Sequence, residues 1–227
     1  MSENRQPMLS RAAWARVLPF LVYIFFIAVV DVLGRLGVSA QALRWVYALK
    51  VGAVLLALAV NYRHYTELRT FDLGWRKALG ATIVGLLVFW LWIHLTAGWM
   101  QVGTATGFDP TTGGRIDWAL VAVRIAGAAL VVPVMEELFW RSFLTRWIVN
   151  PDFETVDPAR VTVKSIAITV LLFGFEHNLW FAGVVAGLAY NLLYWRHRSL
   201  WSAILAHAVT NGVLGCWIVW TGSWAFW

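Results

Sequence analysis

Charge is scarce in this sequence. Only 13% of its 227 residues are Asp, Glu, Lys or Arg, against 60% hydrophobic, and the mean hydropathy is +0.68. That balance excludes an ordinary soluble domain and reads as a polytopic membrane protein. Cysteine is scarcer still. A single residue, Cys216, excludes an intramolecular disulfide. It lies in an apolar run and is expected to pack there, where burial keeps a thiol protonated and inert. No cleavable leader is expected, because the first apolar segment is long and no A-x-A-like site follows it. Internal repeats and low-complexity linkers are absent too. One membrane domain over 1–227 is expected, with its motif-bearing core at 117–221. The net charge of +6 would fit nucleic acid in a soluble protein. Here it fits cytoplasmic loops against an anionic leaflet, so no nucleic-acid partner is expected.

What is abundant is apolar and aromatic. Sixteen Trp and 13 Phe suit interfacial belts and lipid-facing surfaces. The apolar runs divide into about seven spans, giving an all-α helical membrane bundle. Their approximate limits are 14–33, 43–62, 78–99, 117–147, 161–180, 181–195 and 200–220. The fourth is longer than a bilayer requires, and the sixth is short. Gly183 and Gly187 form a small-xxx-small pair that lets helices approach closely. His94 reads as an interfacial histidine, Lys50 as a snorkelling or partnered cation, and the tail 222–227 as an interfacial segment. With the N-terminus inside, twelve basic residues fall on the inner side: Arg5, Arg11, Arg16, Arg63, Arg69, Arg76, Lys77, Arg146, Arg160, Lys164, Arg196 and Arg198. Arg35, Arg44 and Arg115 fall outside. The positive-inside rule then places the N-terminus in the cytoplasm and the C-terminus across the membrane.

Against this background Pro133 to Arg141 stands apart. Two adjacent carboxylates and a guanidinium lie in the middle of an apolar run. Charges at such depth are costly, and they usually face a bundle interior or a water-filled cavity. On a helix Glu137 and Arg141 share a face, with the acid N-terminal to the base, the favourable order for an ion pair. Glu136 points about 100° away. Arg141 therefore neutralises Glu137 and leaves Glu136 for chemistry.

Three more polar residues mark the later helices: His177, and His207 with Asn211 one turn on. Phe173 precedes His177 by four residues and shares its face. A carboxylate beside a histidine can take a proton from water and pass it to a leaving amine. A second histidine and an asparagine can donate to a developing oxyanion. That set suits amide hydrolysis by an activated water. No Ser or Cys is evidently paired with either histidine, which argues against a covalent nucleophile. The same residue types could also ligate a metal, although H-E-x-x-H is absent.

Glu136-Glu137-x-x-x-Arg141, Phe173-x-x-x-His177 and His207-x-x-x-Asn211 together resemble the three motifs of the CAAX protease and bacteriocin-processing family (CPBP, or ABI), the type II CAAX prenyl endopeptidases. The likeness covers about 118–215. It implies an intramembrane glutamate-type endopeptidase without a cofactor or metal. By that resemblance Glu136 activates the water, His177 assists, and His207 and Asn211 form the oxyanion hole. Glu137, Arg141 and Phe173 support them. The segments 139–144, 176–183 and 199–211 also look like bacterial CAAX protease-related proteins that accompany exosortase systems. The implied setting is the bacterial inner membrane. The implied partners are the lipid bilayer, a peptide or protein substrate within it, and exosortase-system proteins. Two other readings stand beside this one: a non-proteolytic scaffold or immunity protein of the same fold, and a metal-dependent membrane hydrolase.

Overall fold

Ser10 starts the first helix. Its Oγ accepts the N–H of Ala13 at 3.1 Å, satisfying one of the donors a helix N-terminus leaves unpaired. The computed structural model describes residues 9–103 and 107–227, so Arg5 of the inner-side count lies outside the described residues. Among the described residues, seven principal helices follow one another: α1 Arg11–Arg35, α2 Val46–Asn61, α3 Trp75–His94, α4 Trp118–Trp147, α5 Val163–Phe175, α6 Trp180–His197 and α7 Leu200–Thr221. Their number and order agree with the seven apolar runs of the sequence. Among the described residues, five stretches are long and apolar enough to cross a membrane: α1, Ala40–His64 (which contains α2), α3, α4 and α7. α5 has only 13 residues. At about 1.5 Å per residue it spans about 20 Å, short of a hydrocarbon core of about 30 Å.

Local chemistry sets the boundaries. Asp117 Oδ1 accepts from the N–H groups of Ala119 and Leu120 and caps α4. Thr162 and Ser165 form a reciprocal capping box at the start of α5. Gly222 ends α7 in the left-handed region, at φ 70°, where a Cβ would be strained. Between α3 and α4 the Gly- and Thr-rich stretch forms a two-residue antiparallel hairpin, Thr111–Thr112 against Arg115–Ile116. Gly113 and Gly114 turn it, both at positive φ, as a two-residue hairpin loop of that hand requires.

α4 runs through the bundle, in contact with α1, α2 and α7. α7 packs along α3, and α5 along α6. The α5–α6 approach depends on absent side chains, as the sequence anticipates. A Cβ on Gly183 would lie 3.0 Å from Gly174 Cα, and one on Gly187 would lie 3.1 Å from the Phe173 ring. One expectation changes. Cys216 is exposed on the outer surface of α7 rather than packed inside, because Gly215, not its neighbour, is the residue turned against Ile125 of α4. The tail 222–227 contains a helical turn, Trp224–Phe226; Phe108 N–H donates to Trp224 O at 3.2 Å, and Phe226 and Trp227 line a cavity.

At the end of the bundle that carries the α1 N-terminus, a buried ionic knot joins three segments. Arg16 is fully buried inside α1. It donates to Glu67 at 2.6 Å and to Ser142 Oγ at 2.8 Å. Arg146 donates to the other oxygen of Glu67 at 2.5 Å, and Ser142 Oγ donates to that same oxygen. Burial opposes ionisation of Glu67, yet the guanidiniums of Arg16 and Arg146, with the Ser142 hydroxyl, hold its carboxyl below the usual range.

Candidate active site

α4 is not a uniform helix. Gly127–Val131 and Leu138–Leu144 are π-helical, and the six-residue α segment between them, Val132–Glu137, carries both glutamates. Such wide turns recur at functional sites. Pro133 supplies a local cause for the first. Val132 N–H donates to Gly127 O, five residues back. In that register the next carbonyl, Ala128 O, would receive the N–H of residue 133, which proline lacks. Asn211 of α7 supplies the missing donor: its Nδ2 donates to Ala128 O at 2.8 Å. One amide hydrogen is thus committed to structure and the second stays available.

The expected pairing of Glu137 and Arg141 is present and fully buried. Arg141 Nη1 donates to Glu137 Oε1 at 3.2 Å, and its Nε lies 3.1 Å from Oε2. Nη2 donates to Gly187 O of α6 at 3.1 Å. The guanidinium lies 4.5 Å over the Phe173 ring. Glu137 also has a partner that helix geometry alone does not reveal. Its Oε1 lies 2.9 Å from His207 Nδ1. A carboxylate can only accept, so Nδ1 carries the proton there.

Glu136 differs in kind. It is 4% exposed. Its Oε2 has no hydrogen-bond partner among the described residues and lies 4.0 Å from His207 Nε2, too far for a direct bond. His177 Nδ1 lies 2.8 Å from Phe173 O. A carbonyl likewise only accepts, so Nδ1 is protonated and Nε2 keeps its lone pair. Tyr190 stacks on His207 at 4.9 Å, and Trp92 meets His177 edge-on at 5.3 Å. Phe173 touches both histidine rings.

All four expected reacting residues, Glu136, His177, His207 and Asn211, line one cavity of about 200 Å³. Glu137 and Arg141 lie behind it. The sequence reading missed Trp92 and Tyr190, which orient the two imidazoles. Their signal is weak, since each is one aromatic among many. It also passed over Arg124, which lines the same cavity and was legible as a further charge in the fourth span. Among the described residues no three of His, Cys, Asp and Glu are grouped as ligands for a metal ion.

Residues 118–213 match the family model described as type II CAAX prenyl endopeptidase Rce1-like. The motif resemblance is thereby upheld at the level of that family. The match does not extend to the exosortase-associated subgroup. No curated protein and no solved structure matches the chain. The Rce1-like segment holds every residue of the constellation and most of the cavity wall. The matched family is one of membrane endopeptidases, and the apolar helices around the segment make this a multi-pass membrane protein.

Proposed function

We propose that this protein is an intramembrane endopeptidase of the glutamate type, hydrolysing a peptide bond in or beside a membrane-embedded or lipidated segment. One observation carries the reading. Glu136 Oε2 is a buried carboxylate oxygen with no hydrogen-bond partner among the described residues, in a cavity shared with two histidines and an asparagine. A buried charge without a partner is costly, and a substrate water would give it one. Glu136 takes a proton from that water as the oxygen attacks the scissile carbonyl carbon. The proton then passes to the leaving nitrogen as the C–N bond breaks. His177, protonated at Nδ1, offers its Nε2 lone pair to the same water. The developing oxyanion takes the free amide hydrogen of Asn211 and the Nε2–H of His207. His207 donates there only as an imidazolium, because its Nδ1 proton is committed to Glu137. The Glu137 carboxylate is placed to stabilise that cation.

The setting proposed is the bacterial inner membrane, with a cytoplasmic N-terminus and the C-terminus on the opposite side. Exosortase-system proteins are proposed as partners from the narrower sequence likeness. The test is a comparison of the membrane peptidome with the protein present, deleted, and replaced by Glu136→Ala. A peptide product lost in both the deletion and the variant supports the reading. Products that persist with Glu136→Ala overturn it.

A further inference from the structure

A second cavity, of about 410 Å³, opens beside the ionic knot and shares no lining residue with the cavity of Glu136. Its volume falls within the roughly 300–1,000 Å³ usual for small-molecule sites. Tyr194 of α6 lines it. That residue is 2% exposed, and its hydroxyl has no hydrogen-bond partner among the described residues. A buried phenol hydroxyl normally finds one. The start of α7 reaches the same cavity through Ser199 and Leu200. Ser199 precedes this 22-residue helix but its side chain does not cap it. Its Oγ donates to Asp72 instead. The first N–H groups of α7 thus lack a side-chain acceptor, and a helix N-terminus in that state attracts anions. Arg198 stands beside them on the cavity wall. It is the one non-glycine at positive φ among the described residues, at 51°. It ends α6 in the left-handed conformation that glycine usually supplies. A strained arginine where glycine would be relaxed points to a use for its side chain.

The charges on the wall decide what such a site takes. Glu67 and Asp72 line it together with Arg146 and Arg198, so the formal charges cancel. Glu67 and Arg146 are spent on each other and on the rest of the knot. Asp72 and Arg198 are held more loosely. Lys77 Nζ lies 3.6 Å from Asp72 Oδ2, and Asp157 Oδ2 lies 3.5 Å from Arg198 Nη1. Both distances exceed that of a strong charged hydrogen bond. One acid and one base therefore remain for a ligand. An anion alone would leave a charge uncompensated there, and a zwitterion leaves none. We propose that this cavity binds a phosphate ester carrying a primary amine, the headgroup chemistry of phosphatidylethanolamine. The phosphate takes Arg198, the N-terminus of α7 and the Tyr194 hydroxyl. The ammonium takes Asp72. The site is independent of the chemistry assigned to Glu136.

The test is calorimetric titration of the delipidated full chain in detergent. The probes are dihexanoyl phosphatidylethanolamine, the matching choline and glycerol lipids, O-phosphoethanolamine and inorganic phosphate. The ethanolamine lipid is expected to bind at least about tenfold tighter than the other two lipids, the ratio one charge-assisted hydrogen bond supplies. Asp72→Asn should bring its advantage over the choline lipid to about one. Tyr194→Phe keeps the ring and should weaken the ethanolamine lipid by roughly fivefold or more. Arg198→Gly is the sharpest variant, because it removes the guanidinium and supplies the residue that the left-handed turn prefers. It should unfold at no lower temperature than the parent, while the ethanolamine lipid binds at least about tenfold more weakly. O-phosphoethanolamine binding as tightly as the lipid would assign the site to a soluble ester, and much weaker binding would assign it to the bilayer. Both support recognition of an amine-bearing phosphate. Equal binding of the three lipids overturns it, as does tighter binding of inorganic phosphate than of O-phosphoethanolamine. So does undiminished binding by Arg198→Gly or by Tyr194→Phe, and so does binding of none of the five probes.

Discussion

Glu137 Oε1 accepts the Nδ1 proton of His207 at 2.9 Å. One carboxylate thereby holds both the guanidinium of its own helix and the imidazole of another. Its neighbour Glu136 holds neither and opens into the cavity. The two glutamates are adjacent in sequence and opposite in circumstance.

Glu136→Gln keeps the shape and polarity of the side chain and removes the base. It should fold as the parent does and lose turnover by at least about 10²–10⁴-fold, the share of a general base. Turnover per folded molecule is the measurement. A variant that keeps most of its activity would reverse the assignment.

Glu137→Gln should chiefly lose stability. It leaves Arg141 buried without a counter-charge, and the single amide oxygen must serve both Arg141 and His207 in place of a carboxylate. Breaking a buried pair from one side costs about 3–5 kcal/mol. Arg141→Gln should resemble it, and the double variant should recover part of the loss. Recovery should be incomplete, because His207 then donates to a neutral amide oxygen in place of a carboxylate. Thermal unfolding of the three variants in detergent decides this. A Glu137→Gln protein as stable as the parent would refute the role given to this knot.

Activity should survive mild chelation, since proton abstraction by Glu136 asks for no metal-bound water. Turnover after exhaustive chelation, with and without added zinc, is the check. Complete loss restored by zinc alone would instead favour the metal-dependent reading.

Acid should loosen the ionic knot around Glu67. Its carboxyl is held below the usual range, so the stabilisation is present above the unfolded value of about 4.3. It is lost as pH falls through the lower folded value. The stability gap between parent and Glu67→Gln should be widest near neutrality and close as pH falls below the unfolded value. A gap that stays constant with pH would show that the residue acts by shape alone.

Gly85→Ala should part α3 from α7. A Cβ there would lie 2.5 Å from Ala206 O and 2.9 Å from Val209 Cβ. Overpacking against backbone costs about 1–3 kcal/mol. It should also weaken the bond from Thr210 Oγ1 to Gly85 O. The Tyr190 hydroxyl donates to Thr210, and the Tyr190 ring stacks on His207. Reduced activity per folded molecule should therefore accompany the lower melting point. An alanine variant as stable and active as the parent would contradict the packing.

Most of the bundle was legible because its signal is local. Apolar runs mark helices, and Gly183 and Gly187 mark the close approach of α5 and α6. The Glu137–Arg141 pair was legible for the same reason, being four residues apart on one helix. What escaped was set by contacts between distant segments. Glu67 bonds Arg16 and Arg146 across three parts of the chain, and nothing in the polar stretch 63–77 distinguishes it from its neighbours. The Glu137–His207 bond joins residues seventy positions apart. Cys216 faces outward because Gly215 faces inward, a choice made by packing on Ile125 and invisible in an evenly apolar run.

The brevity of α5 bears on how water is supplied. The hydrolysis proposed above consumes one water per bond cut, at a site within apolar helices. α5 ends just before His177, and the turn beyond it is roofed by polar backbone. Val102 N–H donates to Asn178 O at 2.8 Å, and Trp180 Nε1 donates to Trp99 O at 2.9 Å. A helix about 10 Å shorter than the hydrocarbon core favours local thinning of a surrounding bilayer. The expected result is a shallow well that brings the aqueous phase down toward the imidazole of His177. Thicker-chain lipids should fill that well and slow turnover while leaving the folded fraction unchanged, a dependence that reconstitution in bilayers of graded thickness would measure.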